Sequence, residues 1–133
     1  MNRPVRALRW VLLAVLATSA PACLAAAAAA GAGGAIAWTQ RGASSSVSGS
    51  VDQVYGRAEA VFRDMGITQT GQSSGDQGAE RSLKGTREDT EVTVEIERES
   101  ASTSKVEVYA RRNTVEFDRG YARDVLTRIV NRS

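Results

Sequence analysis

Few side chains in this sequence can do chemistry, and the most telling is the single thiol, Cys23. It follows Ala20-Pro21-Ala22, an A-x-A arrangement of small residues. Before that stand Arg3, Arg6 and Arg9 and an apolar run from Trp10 to Ala17. A basic n-region, a short h-region and a small-residue c-region are the grammar of an export signal. Cutting after Ala22 makes Cys23 the first residue of the mature chain, where its sulfur can take a lipid. Lipoprotein signals usually carry Leu three residues before the cysteine, and here that position is Ala20. Three outcomes stay open: acylation of Cys23, ordinary secretion, or an uncleaved leader that anchors the chain. Acylation is the reading carried forward. One cysteine forms no internal disulfide, so the folded part must be stable without one.

The remaining reactive types are sparse. Histidine is absent, which removes the commonest proton shuttle and metal ligand. A serine nucleophile therefore lacks a His partner, and nothing in the sequence places Lys84 or Lys105 beside a strained serine. Glu91, Glu95, Glu97, Glu99 and Glu107 share the polar side of two alternating segments. A cation would need several of their oxygens to converge. A solvated strand face is the plainer account. Asp118 and Asp124 are six apart on a helical segment and so do not pair. Arg111, Arg112, Arg119 and Arg123 form the one surface group that could contact an anion, such as a lipid phosphate or an envelope polymer. Adjacent strand residues point to opposite faces, so Arg111 and Arg112 cannot both converge with the rest.

Composition bounds the other possibilities. The chain has 133 residues, room for one domain beyond a leader. Three of its 17 basic residues lie in that leader, which leaves 14 against 15 acidic ones. The mature charge is thus near −1 with signs interspersed, and nothing points to nucleic acid. Leu24 to Trp38 is almost entirely Ala and Gly. Joined to the leader, this run exceeds the ~20 residues of a bilayer span; alone it is short for one. It reads as a flexible tether, with a glycine-faced packing helix as the alternative.

The elements that must carry these residues follow from periodicity. Ser50-x-x-Gln53 fits a capping box. Val51, Val54, Tyr55, Ala58, Val61, Phe62 and Met65 then recur at helical steps, and Gly66 stops the helix. Val92, Val94 and Ile96, then Val106, Val108 and Ala110, alternate with polar residues as an antiparallel hairpin joined at Ser100–Ser104. Face parity allows partner numbers summing to 202 or to 204. A weaker strand spans 79–86, with Leu83 its one large apolar residue. Gly42–Ser48 reads as an edge strand, 67–71 as a short extension, and Gly71–Gly78 as a polar flexible loop. A second helix starts at Asp118 and buries Tyr121, Ala122, Val125, Leu126 and Ile129.

This pattern resembles a family of small bacterial lipoproteins known as domain of unknown function 3568. The likeness covers nearly the whole chain. It rests on Cys23, the Gly/Ala tract, Trp38 and Gly42, Ser50 with the inward Ala58, Gly66-Ile67, Thr103-x-Lys105-Val106, and Asp118. The family follows its last strand with Arg-Val-Gly and a Gly-Asp; here Tyr109 to Asp118 contains no glycine. The resemblance implies an envelope lipoprotein and carries over no activity or catalytic residue.

The expectation is an α+β two-layer sandwich. An antiparallel sheet of about four strands would carry two helices on one face, in the order strand-helix-three strands-helix. Residues 1–22 would be the signal peptide, 23–41 the acylated cysteine and tether, and 42–133 the domain. The function expected is a non-enzymatic envelope lipoprotein with no cofactor and no metal. It would be held by membrane lipid through Cys23, with another envelope protein or polymer as partner. Leu24, rather than Asp, after the cysteine favours the outer membrane, facing the periplasm. The alternative is a ligand-binding module with an apolar site between the layers, lined by Tyr55, Phe62 and Tyr121.

Overall fold

The computed structural model describes residues 34–113 and 115–132. The expected leader (1–22), Cys23 and the tether as far as residue 33 lie outside the described residues. Helix α1 is Val51–Asp64 and helix α2 is Arg119–Asn131. The strands are β1 (Ala37–Trp38), β2 (Gly42–Ser48), β3 (Thr68–Gly75), β4 (Glu80–Arg87), β5 (Thr90–Ser100), β6 (Thr103–Arg112) and β7 (Glu116–Phe117).

Helix α1 begins as its sequence dictates. The Gln53 N–H donates to Ser50 Oγ at 3.3 Å, and the Ser50 N–H donates to Gln53 Oε1 at 2.9 Å. Its end closes through Gly66, at φ +67°: the Gly66 N–H reaches the Arg63 carbonyl and the Ile67 N–H reaches that of Phe62. This pair of bonds satisfies carbonyls that the helix leaves free, and it turns Ile67 into the core. Asp118 caps α2, accepting from the Tyr121 N–H at 2.9 Å.

The strands form one antiparallel sheet in the order β1-β2-β6-β5-β4-β3, with the two-residue β7 also paired to β6. Helix α1 carries the chain from β2 across to the far edge at β3. The meander β3 to β6 then returns to close against β2. Even-numbered residues of β5 and β6 face the helices: Val92, Val94, Ile96, Val106, Val108 and Ala110 are all at most 1% exposed. Leu83, Ala43 and Val47 complete that layer beneath α1 and α2. Helix α1 packs chiefly on β4 and β5, and α2 on β2 and β6. Phe62 and Ile67 come close to Gly85, where a side chain would occupy the space they use.

The α+β expectation holds, and its layout needs correction. The sheet has seven strands rather than about four, though β1 and β7 are two residues each. Strand β2 is not at the edge, because β1 flanks it through Ala37↔Ser44 and Trp38↔Ala43. Ile36 packs on the core, so the last residues of the expected tether belong to the fold. Most of the expected loop 71–78 is strand β3, paired with β4 from Thr68↔Thr86 to Gly75↔Glu80 across a bulge at Gln69–Gly71. A polar segment with no alternation becomes a strand because β4 offers unpaired backbone groups at the sheet rim. No large apolar side chain is needed there.

The β5–β6 hairpin takes the register summing to 202, with Glu91 opposite Arg111 and Glu97 opposite Lys105. The register shifts between Arg98 and Ser100, close to the turn. Outside contacts pin the loop end: the Gly49 N–H bonds to the Ser102 carbonyl, and Ser104 Oγ donates to the Gly49 carbonyl at 2.9 Å. After β6 the glycine-free turn uses Asn113 in the left-handed region, at φ +57°. Asparagine tolerates that conformation better than other non-glycine residues.

Candidate functional site

With Tyr55 and Phe62 only 3% and 2% exposed, these two aromatics are core. The Tyr55 hydroxyl donates to Gln72 Oε1 at 2.6 Å, and the Arg81 guanidinium lies 3.5 Å from its ring centroid. Burial, and then the nearby Glu59 carboxylate, push the Tyr55 hydroxyl above its usual pKa. Tyr121 is half-buried at the rim of the same layer. Surface features therefore carry the weight in any account of recognition.

The four arginines grouped by the sequence separate as strand parity requires. Arg111 points to the helix-free face and pairs with Glu91 at 3.2 Å. Arg112 points to the other side, where it meets Asp118 at 3.2 Å and Asp89 at 4.0 Å. Arg119 and Arg123, on the first two turns of α2, lie 6.0 and 5.3 Å from the Trp38 ring centroid. Among the described residues neither of these two has a carboxylate within salt-bridge distance.

Trp38 is the residue around which this end of the sheet organises. Strand β1 holds it against Ala43 on the helix side, at the end where β7 and the start of α2 also lie. An open cleft of about 680 Å³ lies there, lined by Trp38, Arg112, Glu116, Phe117, Asp118, Arg119 and Gly120. Trp38 is 54% exposed, Phe117 39%, and Val115, at the β6–β7 turn, 87%. Arg112 and Arg119 share this cleft and Arg123 reaches it through Trp38, whereas Arg111 is excluded. Reasoning from the sequence missed Phe117 and Val115. The available signal was two large apolar residues standing between Arg112 and Asp118 with no periodic partner.

The helix-free face holds the glutamates. Glu95 is directly opposite Glu107, a like-charge pair. Tyr109 relieves it by donating to Glu95 Oε1 at 2.8 Å, and Arg41 lies 3.6 Å from Glu107 and over the Tyr109 ring. Burial, and then the bond to Glu95, raise the Tyr109 pKa. Glu80 opposes Glu97 in the next pair, with Lys105 on Glu97's other side. A shallow groove of about 570 Å³ runs over these side chains, with Lys84, Ser73 and Ser82 on its rim. The two serine hydroxyls bond each other at 3.1 Å. Among the described residues no three acidic, Cys or His side chains are gathered as a metal site.

These features define a class: a two-layer α+β domain with a closed core and an aromatic, arginine-bearing cleft at one end of its sheet. The family model described as protein of unknown function (DUF3568) matches residues 6–119, and the chain belongs to this family. The match runs from residue 6 to the first residue of α2, so it takes in Trp38, Phe117 and Arg119 but not Arg123. No curated protein matches the chain, and no solved structure matches it. No helix among the described residues is long and apolar enough to cross a membrane.

Proposed function

We propose that this protein is an envelope lipoprotein: exported, cut after Ala22, acylated on Cys23, and holding its α+β domain at the periplasmic face of the outer membrane. The domain serves as a non-catalytic interaction or structural module, with membrane lipid and another envelope component as its partners. The single observation that carries this reading is Cys23 directly after Ala20-Pro21-Ala22 and a basic, apolar leader. Two features of the fold support it. The core is filled by its own side chains, which leaves recognition to the surface and weighs against an apolar ligand between the layers. The domain also begins soon after the cysteine: the eleven steps from Cys23 to Gly34 reach at most about 40 Å, so the anchor keeps the domain close to its bilayer.

Intact mass of the membrane-extracted protein tests the reading. A mature chain beginning at Cys23 and carrying acyl groups is the expected result. A precursor mass with Met1 retained would sink it in favour of a single uncleaved span. Cys23→Ser should release the domain from membranes; equal retention of that variant counts against acylation.

A further inference from the structure

We infer that the end of the domain bearing Trp38, Val115 and Phe117 docks on the anionic surface of the lipid bilayer, with Arg119 and Arg123 meeting headgroup phosphates; this rests on the anchored reading above. The first support is where the apolar side chains fall. Trp38, Val115 and Phe117 are the large apolar residues exposed among the described residues, and all three lie at this one end. Phe117, opposite Arg111 and edge-on to Tyr109 at 6.5 Å, lies on the helix-free face, and Trp38 on the helix side, so this end presents apolar side chains from both faces of the sheet. Folded surfaces ordinarily scatter such residues singly, and their gathering at one end marks an interaction site.

The second support is charge. Arg119 and Arg123, like Arg57, Arg63, Arg87, Arg98 and Arg128, have no carboxylate partner among the described residues. What sets these two apart is that both lie against the Trp38 ring, at 6.0 and 5.3 Å from its centroid. Arg119 is the first residue of α2, where the helix dipole disfavours a cation, and the Asp118 cap is the acid beside it. Arg112 and Asp118 neutralise each other, so the pair stands against Glu116 alone at the cleft. Guanidinium groups beside an indole, here at 6.0 and 5.3 Å from the ring centroid, suit the bilayer interface: the ring sits at headgroup depth while the N–H donors fork onto phosphate oxygens. Val115 at the hairpin tip supplies an apolar side chain to insert.

The third support is the chain's path. Trp38 follows Cys23 by fifteen positions, so the ring lies within about 55 Å of the acylated sulfur even with the linker fully drawn out. A tethered surface is presented to the bilayer at high effective concentration, so weak docking suffices.

Trp38 is a built-in reporter, because the only other tryptophan, Trp10, lies in the leader. The experiment uses the full chain carrying Trp10→Phe, reconstituted in vesicles of phosphatidylcholine with or without phosphatidylglycerol, with bromine on the acyl chains. Flotation reports the anchor and quenching of Trp38 reports docking. The expected result is blue-shifted, quenched emission in phosphatidylglycerol vesicles, weakened by salt. Replacing Arg119 and Arg123 by alanine should lower the docked-to-free ratio roughly fivefold per arginine. Lysine at both positions should retain the preference for anionic lipid, and Arg128→Ala should leave it unchanged. An unshifted unfolding midpoint shows that the variants fold.

Protein that floats while Trp38 emission is the same in both lipids overturns docking and leaves the anchor standing. Protein that fails to float, yet is quenched by excess phosphatidylglycerol vesicles, overturns the anchor and keeps docking. Neither signal defeats both. A photocrosslinker at position 117 that captures a polypeptide instead of lipid in native membranes also overturns docking.

Discussion

At Gly85 the end of helix α1 and the segment leading into β3 pack close upon the sheet, and replacing this glycine with alanine sets two effects of opposite sign against each other. Glycine inside a strand ordinarily costs stability, so Gly→Ala should gain about 0.5–1 kcal/mol. At Gly85 the added Cβ would lie 2.7 Å from an Ile67 methyl, 2.8 Å from a Phe62 ring carbon and 2.8 Å from the Thr68 carbonyl oxygen. The methyl and the ring can shift, but the carbonyl belongs to the backbone of β3 and moves only with that strand. Overpacking of this kind costs about 1–3 kcal/mol. At the middle of the two ranges the clash wins, leaving Gly85→Ala about 1 kcal/mol less stable, a fall of roughly 4–8 °C in Tm for a domain of about 100 residues. Gly71→Ala is the control, since its Cβ would meet only the Lys84 Cβ at 3.9 Å, an ordinary contact. Urea titration followed by circular dichroism compares both variants with the parent. A midpoint for Gly85→Ala equal to or above the parent's would refute the close approach of α1 to β4 and the filled core argued from it.

Further outcomes follow from single contacts. Ser50→Ala removes the acceptor of the Gln53 N–H and leaves the reciprocal bond from the backbone N–H of residue 50 to Gln53 Oε1 in place; it should cost about 1 kcal/mol, read from the urea midpoint. Arg81→Ala loses both the stack on Tyr55 and the 3.0 Å pair with Asp52. The expected loss is about 0.5–1 kcal/mol by the same assay, and Arg81→Lys should recover it only in part. Tyr55 and Tyr109 hold their protons above the ordinary value of 10.0 when folded. Between that value and the raised one the native chain binds more protons than the unfolded chain, so this contribution is whole below pH 10 and is lost as pH rises beyond it. Urea midpoints should therefore fall from about pH 9 to about pH 11, and Tyr55→Phe should flatten the decline.

The helix-free face makes the opposite use of charge from the Trp38 end. Glu95 and Glu107 face each other, yet Tyr109 and Arg41 draw each carboxylate toward a donor. Arg111 likewise finds Glu91. Charges that satisfy one another locally leave little net field, which is the property of a solvated surface. Arg119 and Arg123 have no such partner among the described residues and lie instead against the Trp38 ring.

Local chemistry wrote much of this molecule directly into its sequence. Ser50-x-x-Gln53 and Gly66 bound α1, Asp118 starts α2, and the period-two runs in β5 and β6 name the buried face, because caps, turns and alternation depend on neighbours a few residues away. What required the tertiary structure was whatever depends on distant partners. Thr68–Gly75 carries no strand pattern and pairs because β4 presents an open edge. Between two registers of equal parity, the β5–β6 hairpin takes the one in which Gly49, from before α1, bonds to its turn. Arg111 and Arg112 part company across the sheet, while Trp38, Phe117 and Arg119, far apart along the chain, meet at one end. A sequence displays side chains in order of synthesis; a sheet closing on itself decides which of them share a surface.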